Sequence, residues 1–126
     1  AIACSEEFKY LYEPNSSIMK AGCFGAISDE YHVKSLGNNS HLFVGNSLIN
    51  DFPGRKFVVN KILSLNKRDI KENLSGLSQA NITVRNFPMS VAELRKKLKL
   101  RDGGDVYLFA TTLSDGSKVI INCSRC

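Results

Sequence analysis

The chain predicts an α+β fold, with helices laid on one face of a mostly antiparallel sheet. Short strand-like segments alternate with capped amphipathic segments, the connections between them are brief, and the C-terminal stretch reads as a hairpin. With 126 residues, 43% of them hydrophobic and 23% charged, the chain suits one compact domain or two small, closely packed subdomains.

Lys9 to Glu13 (KYLYE) is the first strand candidate, ended by Pro14. Asn15 or Ser16 can cap a helix running to about Glu30, with Ile18, Ala21, Gly22 and Gly25 along one face. Its two glycines would allow close approach of a neighbouring element. A turn at Gly37 to Asn39 leads to a second strand, His41 to Val44, and Asp51-Phe52-Pro53-Gly54 is the next break. Arg55 to Leu65 supplies a third strand. Asn66 then starts a helix to about Ser78, with Asp69 at its third position in a capping-box-like arrangement.

Ile82 to Phe87 is the fourth strand. Ser90 and Glu93 have capping-box spacing, and Met89 and Leu94 occupy the positions of a hydrophobic staple. Val91, Leu94 and Leu98 face the core, Arg95, Lys96 and Lys99 share one adjoining arc, and Lys97 and Arg101 lie on the opposite flank. Gly103-Gly104 is the expected helix stop. Asp105 to Thr112 and Lys118 to Asn122 pair around Ser114-Asp115-Gly116-Ser117.

The order is therefore β-α-β-β-α-β followed by α-β-β. The first six elements match a ferredoxin-like unit, which the last helix and the hairpin extend. A soft seam near Leu63 to Asn66 divides the expected segments at 1–64 and 65–126, packed as one unit.

Charge is concentrated rather than spread. From Lys67 to Arg101 nine basic residues stand against three acids, a surplus of six, whereas the whole chain carries only +5. Such a segment suits a polyanion-binding face. Arg85 can offer a bidentate fork to phosphate and Asn86 can reach phosphate, sugar or a base edge; the alternative is that Arg85 pairs with an acid and Asn86 caps the turn before Pro88. Tyr107 and Phe109 alternate along the hairpin and are assigned to the sheet core ahead of base stacking.

Catalytic motifs are missing from the sequence. A cofactor-binding methyltransferase or dehydrogenase core needs a glycine-rich turn after its first strand and an acid further on, and no glycines here make that pattern. His32 and His41 have no Cys, Ser or carboxylate at motif spacing. Cys123-Ser-Arg-Cys126 has C-x-x-C spacing but opens no helix, and Cys4 and Cys23 are distant, so neither a metal nor a redox role is assigned. No run approaches the ~18 apolar residues of a membrane span. AIACSEEF lacks the features of a secretory signal and begins without Met, which points to a cytoplasmic protein with reduced thiols and to a piece of a longer chain.

The strings YLYEPNSSIMKAGCFGAI (Tyr10 to Ile27) and TVRNFPMSVAELRKKLKLRDGGDVYLFATT (Thr83 to Thr112) resemble the C-terminal region of a family of bacterial class I SAM-dependent methyltransferases. In that family a catalytic Rossmann-type domain precedes a ferredoxin-like segment and a THUMP-like domain, and the resemblance spans about Lys9 to Cys123. It implies that S-adenosylmethionine belongs to a catalytic domain outside these residues, and it carries no catalytic residue onto them. It also implies RNA, tRNA or rRNA, as partner, with Arg85, Asn86, Arg95, Lys96 and Lys99 matching the basic segment. The expected function is a non-catalytic domain that recruits structured RNA. The alternative is an interaction module that docks on the catalytic domain or mediates dimerisation.

Overall fold

The computed structural model describes residues 9–15, 34–36, 42–46, 48–113 and 115–125. The helix expected after Pro14, both histidines, and Cys4, Cys23 and Cys126 lie outside them. The elements are β1 (Tyr10–Pro14), β2 (Lys34–Ser35), β3 (Phe43–Gly45), β4 (Gly54–Ser64), α1 (Lys67–Leu74), β5 (Asn81–Arg85), α2 (Val91–Leu98), β6 (Val106–Thr112) and β7 (Lys118–Arg125).

The strands among the described residues form one seven-stranded sheet in the order β2-β3-β1-β4-β7-β6-β5. Every neighbouring pair is antiparallel except β5 and β6, which run parallel. The eleven-residue β4 joins the two halves: Gly54 to Val58 pair with β1, and Phe57 to Ser64 pair with β7. The register shifts between Val59 and Lys61, leaving Asn60 as an extra residue. Such a bulge bends a strand and increases its twist. It also puts Val59 and Ile62 on the same face, although three positions apart they would otherwise point oppositely.

Each face carries its own core. On one, Leu11 and Val44 meet Phe57, Phe109, Leu113, Val119, Ile121 and Cys123. Residues of β1 and β6 share this cluster although β4 and β7 stand between them, so the sheet curls around it. Phe57 packs against Tyr107 and Phe109 with ring centroids 5.0 and 4.9 Å apart. The other face holds Leu63, Ile82, Leu108, Ala110 and Ile120 beneath Leu74 of α1 and Leu94 and Leu98 of α2. A small aromatic cluster of Tyr12, Phe43 and Phe52 closes the β1–β3 end, where the Ile49 amide donates to the Tyr12 hydroxyl.

The α+β class holds, but the strands are distributed differently from the six-element reading. The Ile82 strand does not join β1; it lies at the far edge beside β6. The reason is β7, which is apolar on both faces (Val119, Ile121 and Cys123 on one, Ile120 on the other) and takes the central place beside β4. β5, α2 and β6 thereby form a parallel crossover, the unit that carries the basic helix.

Phe57 is fully buried at the start of the region where β4 is paired on both sides. Phe57→Ala is expected to cost about 3–5 kcal/mol, measured by urea denaturation of both proteins. A smaller loss with an unchanged m-value would show that this centre is loosely packed.

Candidate nucleic-acid interface

α2 is fixed at both ends by local chemistry. The Glu93 amide donates to the Ser90 hydroxyl at 3.1 Å and the Ser90 amide to the Glu93 carboxylate at 3.2 Å, completing the expected capping box. Leu94 and Leu98 are buried, and Met89 packs against the same cluster. The helix stops earlier than Gly103-Gly104. Lys99 takes a left-handed conformation, φ 57°, and Leu100 turns inward to 5% exposure. The chain then pairs in a strand-like way: Arg101 donates its amide to Ser78 and accepts from the Ala80 amide. Tertiary pairing here overrides helix propensity. The glycine pair instead accommodates Gln79: a Cβ on Gly104 would lie 2.9 Å from the Gln79 amide nitrogen, and φ is +85°.

The five residues expected to contact RNA fall into two groups. Arg95 points back along the fold, donating to the Ala80 carbonyl at 3.1 Å and to Asp102 at 2.8 Å, and its side chain is only 22% exposed. It ties α2 to the segments on either side of it. Arg85 donates to Glu13 at 2.8 Å and to the Val84 carbonyl. Asn86, exposed and at φ 50°, turns the chain after β5, and its carbonyl accepts from the Thr112 hydroxyl. Lys96 and Lys99 face solvent. Lys97 and Arg101 are exposed as well, and none of these four side chains has an ion-pair partner among the described residues.

α1 lies on the same face of the sheet and adds exposed Lys67, Arg68 and Lys71. Arg68 pairs with Glu72 at 3.2 Å, an exposed contact worth little. At the helix start the Asn66 side chain accepts from the Asp69 amide at 2.7 Å, while the Asp69 carboxylate accepts from both the hydroxyl and the amide of Ser64. The Ser64 hydroxyl, then its amide, hold the Asp69 carboxyl below its ordinary value, with smaller help from Lys61 and Arg68.

Sequence reasoning missed the ion pairs of Glu13. This carboxylate, 11% exposed, accepts from Arg55 of β4 through one oxygen and from Arg85 of β5 through the other. A signal was available: an acid between buried Tyr12 and Pro14 in a short strand requires cationic partners. The partners themselves are far away in sequence.

Among the described residues, no group of three or more His, Cys, Asp or Glu comes together to hold a metal. Neither strand-to-helix turn, Leu65–Asn66 or Asn86–Ser90, contains glycine. No helix among them is long and apolar enough to cross a membrane.

An α+β domain with a cationic helical layer thus emerges, and comparison with known proteins gives its class. Residues 54–125 match the THUMP domain-like family and residues 10–53 match a ferredoxin-like domain, the two meeting where β4 begins. The chain belongs to the THUMP domain-like family. It is also similar to the crystal structure of a candidate methyltransferase from Porphyromonas gingivalis W83, at 35% identity and a TM-score of 0.86. All of this chain is covered but only 32% of that one, so the chain spans about a third of that protein's length. No curated protein matches.

The position of Asp69 sets a pH dependence. Its carboxyl titrates lower in the folded state than in the unfolded one, so its stabilising effect is complete above the unfolded value of about 4 and disappears as pH falls through the folded one. Asp69→Asn is expected to be less stable than wild type at neutral pH, with the gap narrowing below about pH 4. Thermal melts from pH 7 to pH 2 test this; a constant gap would contradict it.

Proposed function

We propose that this chain is the non-catalytic, RNA-recruiting C-terminal domain of a cytoplasmic bacterial SAM-dependent RNA methyltransferase. The carrying observation is that Lys96, Lys97 and Lys99, with no ion-pair partner among the described residues, are exposed on and just after a helix held by its capping box and two buried leucines. Rigid placement lowers the entropy lost when those side chains meet phosphates. Arg101 and, across the helical layer, Lys67 and Lys71 extend the same field. Arg95 acts as a positioning residue, since its donors are engaged with Ala80 and Asp102. Phosphate contacts place an RNA without reading its sequence, and the methyl donor would be bound by the catalytic domain.

Lys96→Ala is expected to flatten the log K against log salt slope for a structured RNA by about 1. The triple change of Lys96, Lys97 and Lys99 to Glu should weaken binding about tenfold or more at ~0.15 M salt, to a similar extent for unrelated RNA sequences. Fluorescence anisotropy reads this, with circular dichroism to check the fold. Equal affinity of wild type and triple variant at every salt concentration would defeat the reading.

A second reading, docking on the catalytic domain, draws on Val58. It stands 38% exposed, in register with half-buried Tyr10 on one side and exposed Ser124 on the other. A mixed apolar and polar surface of this kind suits an interdomain contact. Val58→Asp should then abolish association with a separately added catalytic domain while leaving RNA affinity unchanged, as measured by calorimetry and anisotropy. Retained association would remove this reading.

A further inference from the structure

We propose that Arg55 and Arg85 form a phosphate-accepting site that Glu13 occupies as an internal anion in the free protein. The inference rests on the polyanion reading above and adds a second contact point to it. Two guanidinium groups converge on one carboxylate, Arg55 on Oε1 and Arg85 on Oε2, an arrangement a phosphate oxyanion can also accept. The cluster keeps one uncompensated positive charge. Arg55 and Arg85 side chains are 40% and 30% exposed, so the pair is reachable from solvent although the carboxylate is nearly covered.

Donor capacity is left over. Arg55 Nη1 and Arg85 Nε bond to nothing among the described residues. The Arg55 guanidinium is steadied by the Phe57 ring, 5.4 Å from its centroid. Thr111, in register with Arg85 on β6, is fully buried, and its hydroxyl has no hydrogen-bond partner among the described residues. Parallel registered residues share a face, so Thr111 lies on the same face of the sheet as Arg85. The arginines have donors to spare, and Glu13 therefore closes the site without exhausting it. A phosphate approaching from solvent competes with Glu13 for the same two side chains.

The test uses the wild-type chain labelled with ¹⁵N, titrated separately with inorganic phosphate and with an RNA hairpin. The Nε–H signals of Arg55 and Arg85 and the backbone amides of α2 are followed together. With RNA, saturable movement of both arginine signals is expected. Glu13→Gln, which keeps one acceptor oxygen, should bind the hairpin about tenfold tighter, with a salt slope steeper by about 1. The gain should vanish in Glu13→Gln combined with Arg85→Gln. Movement with inorganic phosphate alone would assign the site to a small phosphate rather than to an RNA backbone. Still arginine signals in both titrations, with moving α2 amides, would overturn this site and leave the helical reading standing. Stillness of both sets with RNA would defeat the polyanion reading instead. The titration needs no variant to fold.

Discussion

β4 is the element on which the rest of the structure depends. Its hydrogen bonds tie the ferredoxin-like strands on one side to the THUMP-like hairpin on the other, so neither half completes its sheet without it. The single extra residue at Asn60 controls the outcome. By moving Ile62 onto the face already used by Phe57 and Val59, it keeps one apolar surface continuous along a strand that must also bend. The Asn60 side chain donates to Ser124 at 2.8 Å, so the bulge is bonded to its partner strand rather than left loose.

Curvature has a functional consequence. It brings the end of β5 back toward β1, close enough for Arg85 to reach Glu13 across a sheet in which three strands separate them. The same geometry places β5, α2 and β6 as a crossover whose helix must cover the face holding Leu108, Ala110 and Ile120. Burying Leu94 and Leu98 there leaves Lys96 and Lys97 nowhere to go except solvent. The cationic face is thus a product of core packing and capping, with Arg95 and Gln79 locking the segments around it.

Local signals in the sequence were reliable where the chemistry is local. The Ser90–Glu93 box, the Leu94–Leu98 stripe and the hairpin into β7 all stand where their spacing predicts. The end of α2 was not legible, because Leu100 is drawn inward and Arg101 pairs with a neighbouring segment, and no helix-stop residue announces either. The strand order was obscured for a related reason: a strand apolar on both faces, as β7 is, marks a central position, yet it does not state which strand it joins. For Arg85 the alternative of pairing with an acid is the one the fold adopts, but which acid, Glu13, is specified only by the folded sheet, as are the partners of Arg95, Ala80 and Asp102. Lys96 is exposed as helical periodicity predicts, whereas Lys99 is exposed as the left-handed residue that ends the helix.

The central claim is that this scaffold holds its lysines as a phosphate-gripping surface. Photo-crosslinking of the chain to a structured RNA, with the attached peptides identified by mass spectrometry, tests it most directly. The account predicts attachment on the segment bearing Lys96, Lys97 and Lys99, suppressed by added salt as an electrostatic contact should be. Attachment confined to segments away from the helical layer, or undiminished by salt, would contradict it.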